Sequence, residues 1–413
     1  MILPRHSFSP SLHDSCNRSG HKFPGPQLLL FADTYIFFII ISFFMQNKSI
    51  SEQKLRIFDY FKLLTYFVFI VDIRFSFHYN TTQMKIFTYK GAIMKKLAKD
   101  IIDGCRLTRK DDLSIFEDAD LKELAEGADM IRKTFCQNRV HLCTIINGRS
   151  GKCGEDCKFC AQSASSQTGC ETYDMLDEET ILRDCKEKEA AGVHSYSIVT
   201  AGRTVAGKDL DKLVKIFERL HKECDVHLCS SNGLLSYEAF VRLKAAGVET
   251  YHENIETSRR NFPNICTTHT YKDKIEKIRL AKKAGLHVCS GGIIGMGETW
   301  EDRIDMAVSL SELEIFSIPL NALRPIPGTP LGELPPLTED EIVRTVAMFR
   351  YINPTAYIRI AAGRAYFEDG GKRLFTSGAN AAITGNMLTT IGNNIREDMQ
   401  MFTELGYDVT AAE

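Results

Sequence analysis

The sequence predicts a (β/α)8 barrel, and three observations carry that prediction. One phrase recurs, a charged amphipathic helix closing on Ala-Gly and followed by an apolar, β-branched strand: CKEKEAAGVHSYSIVT (185–200), RLKAAGVETYHENIE (242–256) and LAKKAGLHVCSGGIIG (280–295). Helix-then-strand, repeated, is the grammar of βα units and a parallel sheet. The strand candidates approach eight in number, and no Gly-rich dinucleotide turn follows the first of them, which favours a barrel over a doubly wound sheet.

The elements follow in order. Strands are predicted near 140–147, 194–200, 226–231, 249–255, 287–293, 315–320 and 356–361, with helices between them. The Gly after each Ala suits the left-handed C′ position that ends a helix. A fourth copy, LVKIFERLHKECDVHLCSS (213–231), lacks the Gly. An all-α reading fails on the Val- and Ile-rich runs after each Gly.

Residues 1–93 do not share this grammar. LLLFADTYIFFIIISFFM and LLTYFVFIVDIRFSF are rich in Phe, Ile and Tyr without helical or strand period. The purest apolar run, Tyr35 to Met45, is short of the ~20 residues that span a bilayer, and no small-residue cleavage site follows it closely. The composition is what AT-rich DNA encodes when translated without selection. The YKGAI before Met94 can be written with a bacterial ribosome-binding sequence, and MKKLAKDII reads as a natural amino terminus. The expectation is a spurious or disordered extension over 1–93 and one barrel domain over 94–413; a membrane-associated extension is the rival. The 320 residues from Met94 on suit a single barrel.

The 413-residue chain is 44% hydrophobic and 25% charged with a formal net charge of −2, which gives no support to nucleic-acid binding. Its 13 cysteines are odd in number and scattered, a pattern of metal or redox use rather than a disulfide framework.

A barrel places its chemistry at the C-terminal ends of the strands and in the loops after them. There lie Cys153–Cys160, Ser197, Cys229, Asn254, Glu256, Cys289, Asn321 and Arg359. A cysteine in an apolar strand is usually a small buried hydrophobe, but Cys229, Cys289 and Arg359 around one barrel are harder to dismiss together. In CGEDCKFCAQS, Cys153, Cys157 and Cys160 form C-x3-C-x2-C. Structural zinc and ordinary iron–sulfur clusters take four ligands. Three thiolates on a four-iron cube leave one iron open to a small molecule. The alternatives are a zinc site completed by a distant His or Cys, and chance clustering.

This spacing, with Phe159 just before the last Cys and a predicted barrel strand upstream, resembles the radical S-adenosylmethionine superfamily. CGEDCKFCAQS, YHENIETS, CTTHTY, VCSGGIIGMGET, PIPGTPL, YIRIAAGR and SGANAAITGNMLTT are similar, in order and spacing, to the biotin synthase family. The resemblance covers nearly all of 94–413. It implies a cytoplasmic sulfurtransferase that inserts sulfur between two saturated carbons of dethiobiotin to give biotin, the last step of biotin biosynthesis. It further implies a homodimer fed electrons by a flavodoxin or ferredoxin, with no membrane and no nucleic acid as partner.

Carried over by position, the resemblance gives Cys153, Cys157 and Cys160 to a [4Fe-4S] cluster whose open iron chelates S-adenosylmethionine. An auxiliary cluster, [2Fe-2S] in the well-known form of the family or a variant of it here, falls on Cys229, Cys289 and Arg359. Its fourth position is Ser197 where the family has cysteine. Serine is a poor iron–sulfur ligand, so Cys170, just past the first cluster loop, is the expected substitute. Asn254 and Glu256 are expected to contact S-adenosylmethionine, with Gly295 and Glu298 in the stretch lining its adenosyl side. His252, Asn254 and Asn321 are expected on the substrate. The familiar Asn-x-Asn-x-Asp run is here His252, Asn254 and Glu256, which keeps the carboxylate but moves it one methylene out. Asn254, Glu256 and Arg359 are the catalytic expectations. The rivals are another radical enzyme of this subfamily, such as a hydrogenase maturase or a methylornithine synthase, and a zinc-binding structural protein.

Overall fold

The structure is a computed structural model that describes residues 93–386, 388 and 394–409. The expectation for 1–93 therefore lies outside the described residues, apart from Ile93. Among the described residues, nine parallel strands form one sheet: β1 His141–Arg149, β2 Ser195–Thr200, β3 His227–Ser231, β4 Thr250–His252, β5 His287–Cys289, β6 Gly292–Ile294, β7 Ser317–Ala322, β8 Tyr357–Ile360 and β9 Ala381–Ile383. The sheet closes. β1 pairs with both β2 and β9, and β5 pairs with both β4 and β7. β5 and β6 share one of eight positions around the ring, so this is the (β/α)8 barrel that the sequence predicts.

Ser290 and Gly291 separate β5 from β6, and Gly292 opens β6. A Cβ at Gly291 would sit 1.9 Å from the Pro319 carbonyl oxygen, and one at Gly292 would sit 2.3 Å from that of Glu256. Only a residue without a side chain lets the neighbouring backbones come this close.

Helices follow the strands as the recurring phrase requires: α1 Leu121–Cys136 precedes β1, then come α2 Glu178–Ala190, α3 Gly207–Glu223, α4 Tyr237–Ala245, α5 Tyr271–Lys283, α6 Trp300–Glu312, α7 Glu339–Ile352 and α8 Ile395–Glu404. Their starts are set by side-chain caps. Thr270, Thr299 and Thr338 form reciprocal capping boxes with Asp273, Asp302 and Glu341, each satisfying backbone donors that the first turn leaves orphaned. Their ends follow the sequence reading: Gly192, Gly247 and Gly285 have φ of 87°, 95° and 84°. The copy without Gly, α3, instead leaves through Cys224 at φ −127°, directly extended.

The strand missed from sequence is β9. It has three residues, Ala-Ala-Ile, too short and too poor in β-branched side chains to stand out. Yet it closes the ring between β8 and β1. Outside the barrel, α7 packs against α1 and carries Arg350, fully buried, whose guanidinium donates to the carbonyls of Gly378, Pro354 and Ala356 at 2.7–2.9 Å. No helix among the described residues is long and apolar enough to cross a membrane.

Candidate active site inside the barrel

The loop leaving β1 carries Cys153, Cys157 and Cys160, and the segment around Thr267 and Thr268 straps it down. Asp156 accepts hydrogen bonds from the backbone N–H of Thr267 (2.8 Å) and Thr268 (3.2 Å), and from the Thr267 hydroxyl. Glu155 is paired with Arg203 at 3.1 Å, accepts from the Thr268 hydroxyl at 2.7 Å and contacts His269. The Lys158 N–H donates to the Ile265 carbonyl at 3.0 Å. The bonds from Thr267, first its hydroxyl and then its N–H, with those from Cys266 and Thr268, hold Asp156 well below the usual carboxylate range.

CTTHTY, which sequence reasoning recognised without giving its residues a role, is thus the anchor of the cysteine loop. The two acids of CGEDC were the available signal, since carboxylates in a tight loop need donors. Cys157 Sγ lies 3.8 Å from Cys266 Sγ, and the donor atoms of Cys157, Cys266 and His269 lie within 4.8 Å of one another.

Cys160 and Phe159 form part of the wall of a cavity of 380 Å³ within the barrel; Cys153 and Cys157 lie outside that wall. Burial pushes the Cys160 thiol up to about 11. A metal reverses this, because a coordinated thiol is deprotonated outright.

Deeper in the same cavity are Ser197 on β2, Cys229 on β3, Cys289 on β5, Arg359 on β8 and, unanticipated, Cys143 on β1. Arg359 is buried and fixed. It donates to His141 Nδ1 at 2.8 Å, to the carbonyls of Ala382 and His141 at 3.2 and 3.3 Å, and to Ser317 Oγ at 3.4 Å. Burial, with Arg359 alongside, drives His141 well below its ordinary value. The ring is therefore neutral: Nδ1 accepts from Arg359 and Nε2–H donates to Ser195 Oγ at 3.1 Å. Cys289 donates to Ser317 Oγ at 3.3 Å; burial raises its thiol while Arg359 pulls it back.

The expected substitute ligand is elsewhere. Cys170 lies outside the cavity wall, 3.7 Å from Ser150 Oγ and 3.5 Å from the Glu171 carbonyl. The loop carrying it doubles back along the end of β1, where Ser150 and Tyr173 bridge antiparallel, and this path holds Cys170 at the rim.

At the C-terminal end of β4, alternate residues form one hydrogen-bonded row. Ser231 Oγ–H donates to His252 Nδ1 at 3.1 Å, and His252 Nε2–H donates to Asn254 Oδ1 at 2.9 Å. Asn254 Nδ2 donates to Glu256 at 3.3 Å, and Asn254 Oδ1 also accepts from the Gly291 N–H at 3.0 Å. Burial keeps His252 neutral, lowering its pKa. It raises Glu256, against the pull of the buried Lys274, which pairs with Glu253 at 2.5 Å. Glu256 sits at φ +65°, a left-handed backbone that costs a non-glycine residue of order 1 kcal/mol and clusters at functional sites. His252, Asn254, Glu256 and Asn321 all line the cavity. Asn321 is oriented by donating to the Gly292 carbonyl and accepting from the Ala362 N–H, both at 3.2 Å.

Gly295 and Glu298 lie outside the wall. The Glu298 carboxylate accepts from the backbone N–H of Gly295 (2.8 Å) and Met296 (2.7 Å) and pairs with Arg303 at 2.8 Å. It shapes the Gly-rich turn from behind.

The donors fit the groups that the sequence implies. Thiols are the natural ligands of iron–sulfur clusters, and they occur at two levels of one cavity whose remaining wall includes the apolar Ile145, Val199, Ile293, Leu323 and Leu388.

Comparison with known proteins gives the same answer. Residues 149–310 match the Radical SAM superfamily, and residues 319–408 match the Biotin and Thiamin Synthesis associated domain. The biotin synthase of Clostridium beijerinckii is 62% identical over 316 residues, covering 76% of this chain and 100% of that protein. That of Alkaliphilus metalliredigens is 62% identical over 314 residues, 76% of this chain and 99% of that one. Among solved structures, a methylornithine synthase shares the fold at a TM-score of 0.66 and 20% identity, over 76% of this chain and 96% of its own. The barrel, the cysteine loop at its mouth and identity sustained over the whole length of such relatives establish that this chain belongs to the biotin synthase family of radical S-adenosylmethionine enzymes.

Proposed function

We propose that the chain converts dethiobiotin to biotin by sulfur insertion, with the mouth and the depth of one cavity doing different work. The observation that supports this reading is a single cavity lined by Cys160 of the cysteine loop and, on the barrel strands, by Cys229 and Cys289 beside Arg359. Cys153, Cys157 and Cys160 would hold the four-iron cluster, and Cys229, Cys289 and Arg359 the auxiliary one. When bound, the first cluster with S-adenosylmethionine supplies a radical able to take hydrogen from saturated carbon, and the second supplies sulfur.

The protein's own part is placement. The row from Ser231 through His252 and Asn254 to Glu256 fixes His252 and Asn254 in the cavity wall, so that each presents a defined donor or acceptor to ligands. Asn254 has both lone-pair directions of Oδ1 occupied, which leaves one Nδ2 hydrogen to offer. Asn321, held by two backbone bonds, has one Nδ2 hydrogen left for the ureido group of dethiobiotin. The network around Arg359 keeps a cation beside thiols that must ionise to bind iron. The closed barrel and its apolar wall exclude water from reactive species.

A flavodoxin or ferredoxin as reductant, a homodimer, a cytoplasmic setting and a working chain beginning at Met94 complete the reading. Family resemblance supports the first three. The match of relatives over their whole length to a stretch the size of 94–413 supports the last.

The test is anaerobic. Reconstituted protein with dithionite, S-adenosylmethionine and dethiobiotin should form biotin together with 5′-deoxyadenosine, about two per biotin since two C–H bonds are broken. 5′-Deoxyadenosine without biotin would assign a different radical reaction; a colourless protein that holds its metal in air would assign a zinc protein.

A further inference from the structure

We infer that Cys143, not Ser197 or Cys170, supplies the third thiolate of the auxiliary cluster. The inference rests on the two-cluster reading above and names a ligand that this reading lacks. Cys143 faces inward from β1, two residues from Ile145, which also lines the cavity, as the period-2 alternation of a strand requires. Its thiol, which donates to the Thr144 carbonyl at 3.6 Å, lines the same cavity as Cys229 and Cys289. Both Cys143 and Cys229 are buried. Arg359 lines the same cavity and shares an acceptor with Cys289: both donate to Ser317 Oγ, at 3.4 and 3.3 Å. Three soft donors and one cation thus converge from β1, β3, β5 and β8 inside one cavity.

Ser197 is one strand over on β2, in register with Ile145 on one side and Cys229 on the other. Its hydroxyl would have to ionise and act as a hard ligand to a cluster that prefers sulfur. Cys143 answers the same need from the adjacent strand. The interior of the barrel therefore keeps its third thiol although the alignment position that usually carries it holds serine.

The test compares wild type, Cys143→Ser, Ser197→Ala, Cys170→Ala and the double variant Cys143→Ser/Ser197→Cys. Each is prepared anaerobically as the full chain with 57Fe and sulfide and read by iron content, sulfide content and Mössbauer spectra. Cys143→Ser should lose the auxiliary signal and fall to the four irons of the first cluster, whose spectrum stays as an internal control of folding. Ser197→Ala and Cys170→Ala should keep both signals. The double variant, with a thiol restored across the β1–β2 pair, should regain auxiliary iron. Full auxiliary iron in Cys143→Ser overturns the inference alone. A wild type that binds only four irons overturns it together with the two-cluster reading, and does so before any variant is made.

Discussion

Glu298 separates positioning from contact in the Gly-rich turn, and the expected cost of removing it follows from its surroundings. The side chains of Glu298 and Arg303 are 1% and 6% exposed. Truncation to Ala leaves a buried guanidinium with Thr345 Oγ1 at 3.4 Å, Glu341 at 3.9 Å and the Trp300 ring, whose centroid is 5.1 Å away, none of which replaces the lost carboxylate. Removing one member of a buried pair costs about 3–5 kcal/mol. The N–H groups of Gly295 and Met296 lose their acceptor as well, though water entering the vacated volume recovers part of that. About 3–4 kcal/mol is the net expectation, a fall in Tm of roughly 4–6 °C for a domain this large. Glu298→Gln, which keeps one carbonyl acceptor, should fall between Ala and wild type. The assay is urea and thermal unfolding of the iron-free full chain by circular dichroism, beside the KM for S-adenosylmethionine of the reconstituted enzyme. A Glu298→Ala protein with wild-type stability that no longer binds S-adenosylmethionine would make Glu298 a direct ligand and refute the positioning role.

Three further outcomes are expected. Cys153→Ala, Cys157→Ala and Cys160→Ala should each abolish 5′-deoxyadenosine formation with dithionite, whereas Cys229→Ala and Cys289→Ala should retain it and make no biotin; parallel loss of both products in the latter pair would mark them as structural thiols. Glu256 carries a raised pKa, so its neutral form is the one the fold favours, and its contribution is complete below the unfolded value of about 4.3 and lost as pH rises through the folded one. The stability of iron-free wild type relative to Glu256→Gln should therefore fall with rising pH from that point, and a flat difference in urea titrations refutes the burial argument. A chain begun at Met94 should match the full chain in solubility, iron content and activity. One begun at Leu97 should be less stable, because it loses the buried Met94 side chain and the carbonyl that accepts from Tyr351 Oη at 3.0 Å. Peptides from residues 1–93 in protein from the native host would overturn the Met94 start.

How far the sequence could be read depended on whether a signal was local. The Ala-Gly helix ends were legible because a left-handed C′ position selects for glycine in place, and Gly192, Gly247 and Gly285 have that conformation. The cysteine loop was legible because its three thiols lie within eight residues. β9 was not, since its three small residues become a strand only between two neighbours already in place. The strap between Asp156 and Thr267–Thr268 joins segments 111 and 112 residues apart and leaves no periodic trace.

Cys143 failed for a subtler reason. The first strand was found, but a strand of a parallel barrel is apolar on both faces, so the sequence HLCTIIN does not say which parity points inward. Only closure of the ring sets that parity, through the register of β1 against β2 and β9. A ligand carried over by alignment position answers which strand usually holds it; the cavity answers which strands can. Adjacent strands of a barrel present neighbouring side chains to one interior, so a thiol can move from β2 to β1 while the donor set stays in place. On that argument Ser197 and Cys143 form one functional pair, and the variant that exchanges their residue types is the one whose iron should survive a loss that Cys143→Ser alone does not.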